Sequence, residues 1–143
     1  LLETLKKVDL LILNDAEAKS LAGEENLIKA TRRLLDYGLK RVIVKKGEHG
    51  AISLTRDSYF ALPAYPLERV VDPTGAGDTF AGGVMGYLAS VGELDEFAFR
   101  KAIAYGTVLA SFNVEDFSLN RMLTLSREEI EARVEKLREI TRF

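Results

Sequence analysis

Asp72-Pro73-Thr74-Gly75-Ala76-Gly77-Asp78-Thr79-Phe80-Ala81-Gly82-Gly83 joins a tight, glycine-rich turn to a helix expected from about Thr79 to Ser90, with Arg69-Val70-Val71 as a brief strand before it. A helix N-terminus exposes unpaired N–H groups and carries the positive end of the helix dipole, so Gly75-Ala76-Gly77 entering a helix makes an anion site. Small residues let the backbone come close to phosphoryl oxygens, and glycine takes the left-handed dihedrals such a loop demands. Asp78 then stands at the mouth of the site, where a carboxylate can accept a proton from a hydroxyl whose oxygen attacks phosphorus. By itself, such a run also describes an ordinary turn with a helix cap. Its surroundings favour the anion site. Asp72 and Asp78 bracket the glycines, a strand precedes, a helix follows, and Phe80-Ala81-Gly82-Gly83 places small residues where that helix must pack tightly. No Gly-Lys-Ser/Thr closes the loop, and no ribose-binding acid follows at the right distance, so it is neither a Walker A loop nor a good dinucleotide fingerprint.

Upstream, Val8-Asp9-Leu10-Leu11-Ile12-Leu13 is an almost continuous apolar run, as expected for a strand buried on both faces of a parallel sheet. Only the residues before Val8 precede it, which points to a longer parent chain. Asp15 to Leu21, ending at Gly23, and Glu25 to Tyr37, ending at Gly38, read as two helices or one broken helix. Arg41-Val42-Ile43-Val44-Lys45 reads as a second buried strand and Gly47-Glu48-His49-Gly50 as a turn; Ala51 to Leu54 and Tyr59 to Ala61 form a hairpin. Two further helices are expected, from about Leu94 to Phe112 and from Ser126 to Arg142, the latter opening on the capping box Ser126-Arg127-Glu128-Glu129. Strand, helix and strand joined by short connections indicate an α/β layer fold.

The 143 residues suit one compact domain, since a chain of this size buries roughly 70% of its unfolded surface. No apolar run approaches the roughly 18 residues of a membrane span. The formal charge is -2 with both signs interspersed, so there is no basic stripe for a nucleic acid. The chain has no cysteine and one histidine, His49, which removes disulfide frameworks, zinc clusters and thiol nucleophiles. What remains is the chemistry of carboxylates, hydroxyls, lysines and backbone. His49 is read as a surface turn residue without a role, and Phe112 and Phe117, though near the end of a long helix, as core aromatics.

The stretch from Asp72 to Gly83 resembles the C-terminal signature of the PfkB sugar kinases, D-T-x-G-A-G-D, over a long and specific match. The resemblance implies a ribokinase-like three-layer α/β/α sandwich, of which residues 1–143 would be the C-terminal, nucleotide-binding portion of a larger single domain. It implies that Asp78 is the general base and that the Gly75, Ala76 and Gly77 amides stabilise the transferred phosphoryl. Asp72 would organise a monovalent-cation site for K+; the family's usual Thr is Pro73 here, a departure that bears on that cation site rather than on the anion hole.

Two more segments agree with the family in order and spacing. Asn14-Asp15-Ala16-Glu17 matches its N-x-x-E motif, implying that Asn14 and Glu17 help place phosphates and Mg2+, a cation that prefers oxygen ligands and keeps several waters. Alone, the same four residues would be a helix start with one exposed Glu. Val44-Lys45-Lys46-Gly47-Glu48-His49-Gly50-Ala51 matches the strand and G-x-x-G turn that lies against the nucleotide, with Gly47 and Gly50 in place. Lys45 stands where the family often has Thr, so either Lys45 or Lys46 meets the phosphate tail as a point charge or Lys45 is an ordinary solvent-facing lysine. The resemblance thus implies an ATP- and Mg2+-dependent transfer to a sugar alcohol, or to a nucleoside in the adenosine-type branch. A regulatory, catalytically silent member is the alternative outside the enzyme class. The acceptor-binding half and lid of the family would lie upstream, so the segment alone is expected to be inactive; a cytoplasmic location and a homodimer through the lid are further implications.

Overall fold

The computed structural model describes residues 1–143. They form two compact units, Leu1–Ala61 and Leu62–Phe143.

The first unit holds α1 (Leu2–Leu5), β1 (Leu10–Asn14), α2 (Asp15–Ala22), α3 (Leu27–Leu35), β2 (Arg41–Lys45), β3 (Ala51–Leu54) and β4 (Tyr59–Leu62), whose last residue opens the second unit. The sheet order is β1-β2-β3-β4. β1 and β2 are parallel and β2 and β3 antiparallel. Alternation along β2 turns Val42 and Val44 to one face, where they join Leu13, Leu34, Leu35, Ile52 and Leu54 in a core roofed by α2 and α3. β1 differs from expectation: of its residues only Leu13 is buried, because β1 is an edge strand with β2 as its one neighbour. The broken-helix alternative is settled as two helices. Gly23, at φ 62°, stops α2, and the Asn26 side chain accepts the Lys29 N–H to start α3.

The second unit holds α4 (Ala76–Val91), α5 (Glu96–Asn113), α6 (Asn120–Leu123) and α7 (Arg127–Thr141). α5 doubles back along α4 after Gly92, and the two helices touch backbone to backbone. A Cβ on Gly83 would come within 2.8 Å of the Gly106 Cα, and one on Gly106 within 2.7 Å of the Phe80 carbonyl oxygen. Phe80, Val84, Leu88, Ile103 and Val108 are buried. The capping box opening α7 is formed as expected, Ser126 Oγ accepting from the Glu129 N–H and the Glu129 carboxylate from the Ser126 N–H. Arg133 of α7 lays its guanidinium 3.5 Å from the Phe112 ring centroid and pairs with Glu115 at 2.6 Å.

Two segments depart from expectation. Arg69-Val70-Val71 forms no strand. The N–H groups of Val71 and Asp72 instead donate to the Val114 carbonyl at 2.8 and 3.3 Å, so the end of α5 takes the donors a strand would need. And α4 starts at Ala76, three residues before the expected Thr79, because Gly75 serves as N-cap and its carbonyl accepts the Thr79 N–H at 2.9 Å.

Candidate active site

The residues singled out in the sequence fall into two clusters, one in each unit. In the first unit, the parallel pairing of β1 and β2 brings their carboxyl ends to one edge, where ligands of α/β sheets bind. The register sets Asn14 opposite Lys45. Asn14 is also the N-cap of α2: its Oδ1 accepts the Glu17 N–H at 2.7 Å, and Glu17 Oε2 accepts the Asn14 N–H at 2.9 Å. N-x-x-E is therefore a complete capping box. It fixes the Glu17 carboxylate at the sheet edge, exposed to solvent, with Oε2 engaged by the backbone.

The turn after β2 lies at the same edge. The Lys46 N–H donates to the Gly50 carbonyl at 2.7 Å, and the Gly50 N–H to Gly47 at 3.2 Å. Gly47 sits at φ 55° and Gly50 at φ 87°, ψ -144°; the second conformation is open to glycine almost alone. Lys45 is half-exposed at the end of β2. His49 is exposed, its imidazole 3.7 Å from the neighbouring Glu48 carboxylate, as a surface turn residue would be.

In the second unit, Asp72 Oδ1 accepts the Thr74 N–H at 2.9 Å. That amide is the main reason the Asp72 carboxyl is held below the usual range, with smaller help from the Thr74 hydroxyl and the Ser118 amide. Gly75 follows at φ 81° and α4 begins. The Ala76 N–H donates to the Pro73 carbonyl at 3.2 Å, whereas the N–H groups of Gly75, Gly77 and Asp78 have no partner in the protein. These three donors lie at the N-terminus of a 16-residue helix, the end at which the helix dipole favours an anion. Asp78, third residue of α4, exposes its carboxylate there and makes no ion pair.

Asn113, the last residue of α5, is the residue sequence reasoning missed. It is fully buried; its Nδ2 donates to the Thr74 carbonyl at 2.9 Å and its Oδ1 accepts from the Thr79 hydroxyl at 3.1 Å. Its signal was an amide side chain closing the mostly apolar stretch Val108-Leu109-Ala110-Ser111-Phe112. Phe112 is core as expected, but Phe117 is 62% exposed and lines an open cleft of ≈ 480 Å³ with Leu67, Val71, Glu115 and Asp116.

The model of the pfkB carbohydrate kinase family matches residues 1–124. A bifunctional ribokinase/ribose-5-phosphate isomerase A of Fructilactobacillus sanfranciscensis is 34% identical over 118 residues, 79% of this chain and 21% of that protein. A cytidine kinase of Thermococcus kodakarensis is 39% identical over 85 residues, 58% of this chain and 30% of that protein. Among solved structures, a putative ribokinase II from E. coli in complex with ATP and Mg2+ superposes with a TM-score of 0.78 at 28% identity, covering 94% of this chain and 42% of that one. Ribokinase from Thermotoga maritima gives 0.80 at 28% identity, covering 94% and 45%. The fold is ribokinase-like, and the chain spans less than half the length of these relatives.

Proposed function

The chain belongs to the pfkB family of carbohydrate kinases, and on that premise we propose that it is the nucleotide-binding portion of an enzyme that moves the γ-phosphoryl of ATP to an alcohol of a sugar. The observation that carries this reading is the arrangement at the start of α4: three unpartnered amides, of Gly75, Gly77 and Asp78, beside an exposed carboxylate. Amides fixed in place stabilise charge that develops on transferring oxygens without reorganising during the reaction. The Ala76 amide, turned to Pro73, would join them only by leaving its 3.2 Å bond.

In the proposed reaction the acceptor oxygen attacks the γ-phosphorus in line while the bond to the β,γ-bridging oxygen breaks. ADP departs with that electron pair, and Asp78 takes the acceptor's proton. Asn14, Lys45 and the Gly47 to Gly50 turn would hold the nucleotide phosphates at the sheet edge, Lys45 as a point charge.

Glu17 suits Mg2+ bound through water and phosphate: one oxygen is tied to the Asn14 amide, the other is left for the ion or its hydration shell, and no cluster of three ligating side chains competes for it. Such an ion would neutralise charge on the β- and γ-phosphates. Asp72, kept ionised by the Thr74 amide, would hold a K+ ion beside the loop.

A nucleoside acceptor is the second reading, favoured by the 39% identity to a cytidine kinase. No helix of the chain is long and apolar enough to cross a membrane. ADP release by the full-length protein with Mg-ATP and a panel of sugars and nucleosides, run beside Asp78→Asn, tests both readings. Activity on one sugar, lost in the variant, is the expected outcome; activity on a nucleoside changes the substrate and keeps the mechanism. ATP binding without turnover on any acceptor would sink the kinase reading in favour of a regulatory one.

A further inference from the structure

The glycine loop is moulded on the C-terminal end of α5. The Val114 carbonyl receives the amides of Val71 and Asp72 where the loop begins, and Asn113 spans the rest, bonding Thr74 on one side and Thr79 on the other. An amide side chain suits this place because it offers a donor and an acceptor at once. Asn113 is brought there by the close approach of α4 and α5 at Gly83 and Gly106, which leaves no room for a side chain between the helices.

The bond to Thr74 has a consequence for the next amide. In a trans peptide the carbonyl and the following N–H point in opposite directions, and the chain has no cis peptide bond. Tying the Thr74 carbonyl to Asn113 therefore turns the Gly75 N–H away from α5, to the side where it has no protein partner. The Asn113 amide also lies 3.8 Å from where a Gly75 Cβ would be, so it is the floor on which Gly75 rests at φ 81°.

We propose that Asn113 is a positioning residue for phosphoryl transfer, its amide orienting the Thr74-Gly75 peptide so that the Gly75 N–H faces the charge developing on the transferred group. This rests on the kinase reading of the same site. Loss of one pre-aimed donor costs on the order of 100-fold in kcat in acyl-transfer enzymes, and a similar loss is expected here.

The test uses the full-length protein. Asn113→Leu fills the buried space without a donor, with Asn113→Ala as the second variant should leucine not fold, and Asn113→Asp donates to Thr74 only while its carboxyl is protonated. The expected result is a fall of about 100-fold in kcat for Leu or Ala with KM for ATP within about threefold. Relative to wild type, the Asp variant should recover as pH falls. A kcat unchanged in the folded Leu or Ala variant, or an Asp variant that follows the wild-type pH profile, overturns the proposal, whatever the Tm does.

Should the wild-type protein phosphorylate no acceptor, the kinase reading fails, and Asn113 is judged on the ¹H–¹⁵N resonance of the Gly75 amide during titration with inorganic phosphate. A shift in wild type that disappears in Asn113→Leu or Asn113→Ala supports the positioning role. A shift retained in the variant, or absent from wild type, overturns it.

Discussion

Asp78 and Lys45 are each asked to do one thing, and each can be examined by one substitution. Asp78 presents its carboxylate from the first turn of α4 with no counter-ion in the chain, so Asp78→Asn removes the proposed base and disturbs no packing. A positioned base contributes roughly 10²- to 10⁴-fold, and kcat should fall by that order while ATP still binds. Equal turnover by wild type and Asp78→Asn would assign the base elsewhere. Lys45 stands opposite Asn14 at the end of β2. If its ammonium meets the phosphate tail, Lys45→Ala raises KM for ATP several-fold and leaves kcat close to wild type. An unchanged ATP affinity, measured by calorimetry on the intact protein, would make it an ordinary solvent-facing lysine. At Glu17 the capping bond aims the carboxylate and also occupies one of its oxygens.

Among the elements, α4 and α5 carry the most specific stability argument. Gly83 and Gly86 lie three residues apart on α4, yet a Cβ on Gly83 meets Gly106 at 2.8 Å while one on Gly86 meets nothing within 4 Å. Gly83→Ala should destabilise by about 1–3 kcal/mol through overpacking. Gly86→Ala should stabilise by about 0.5–1 kcal/mol, because alanine loses less backbone entropy on entering a helix. Denaturant unfolding of the two variants should therefore shift in opposite directions, and a shared sign would show that the helices can part at Gly83. On α5, Tyr105 donates to Glu131 of α7 at 2.6 Å and stacks on Tyr87 with ring centroids 4.6 Å apart. Burial first, then the Glu131 bond and charge, push its phenol up to about 12. An unfolded tyrosine ionises near about 10. The folded state therefore resists ionisation, and the linked stability is present below about pH 10 and lost as pH rises towards 12. An ultraviolet titration should show one of the five tyrosines ionising after the rest. Glu131→Gln should bring it only part of the way back, since burial remains.

For the molecule as a whole, what was legible follows from how local each signal is. The strand from Arg41 to Lys45, the glycine stop at Gly23 and the capping box at Ser126 are written in neighbouring residues, and the structure forms all three. The signature loop was legible as a glycine turn entering a helix but not in its boundaries: Gly-Ala-Gly carries little helical signal, so the early start of α4 depends on Gly75 as cap and on α5 behind it. Val70 and Val71 have strand propensity, yet their segment is held by Val114, more than forty positions away in sequence, and Asn113 reaches Thr74 across a similar gap. No window along the chain contains such a pairing. The chain has an exposed carboxylate and open amides at the start of α4 and, in our proposal, a sheet edge that holds the phosphates, but no feature in it is specific for a sugar ring, and it spans less than half the length of its relatives. Phosphoryl transfer depends on holding the acceptor oxygen in line with phosphorus, a positioning term worth roughly 7–11 kcal/mol. A protein consisting of residues 1–143 should therefore form no sugar or nucleoside phosphate from Mg-ATP above the rate of its own Asp78→Asn variant. Turnover that exceeds that background would mean that the acceptor site lies within these residues.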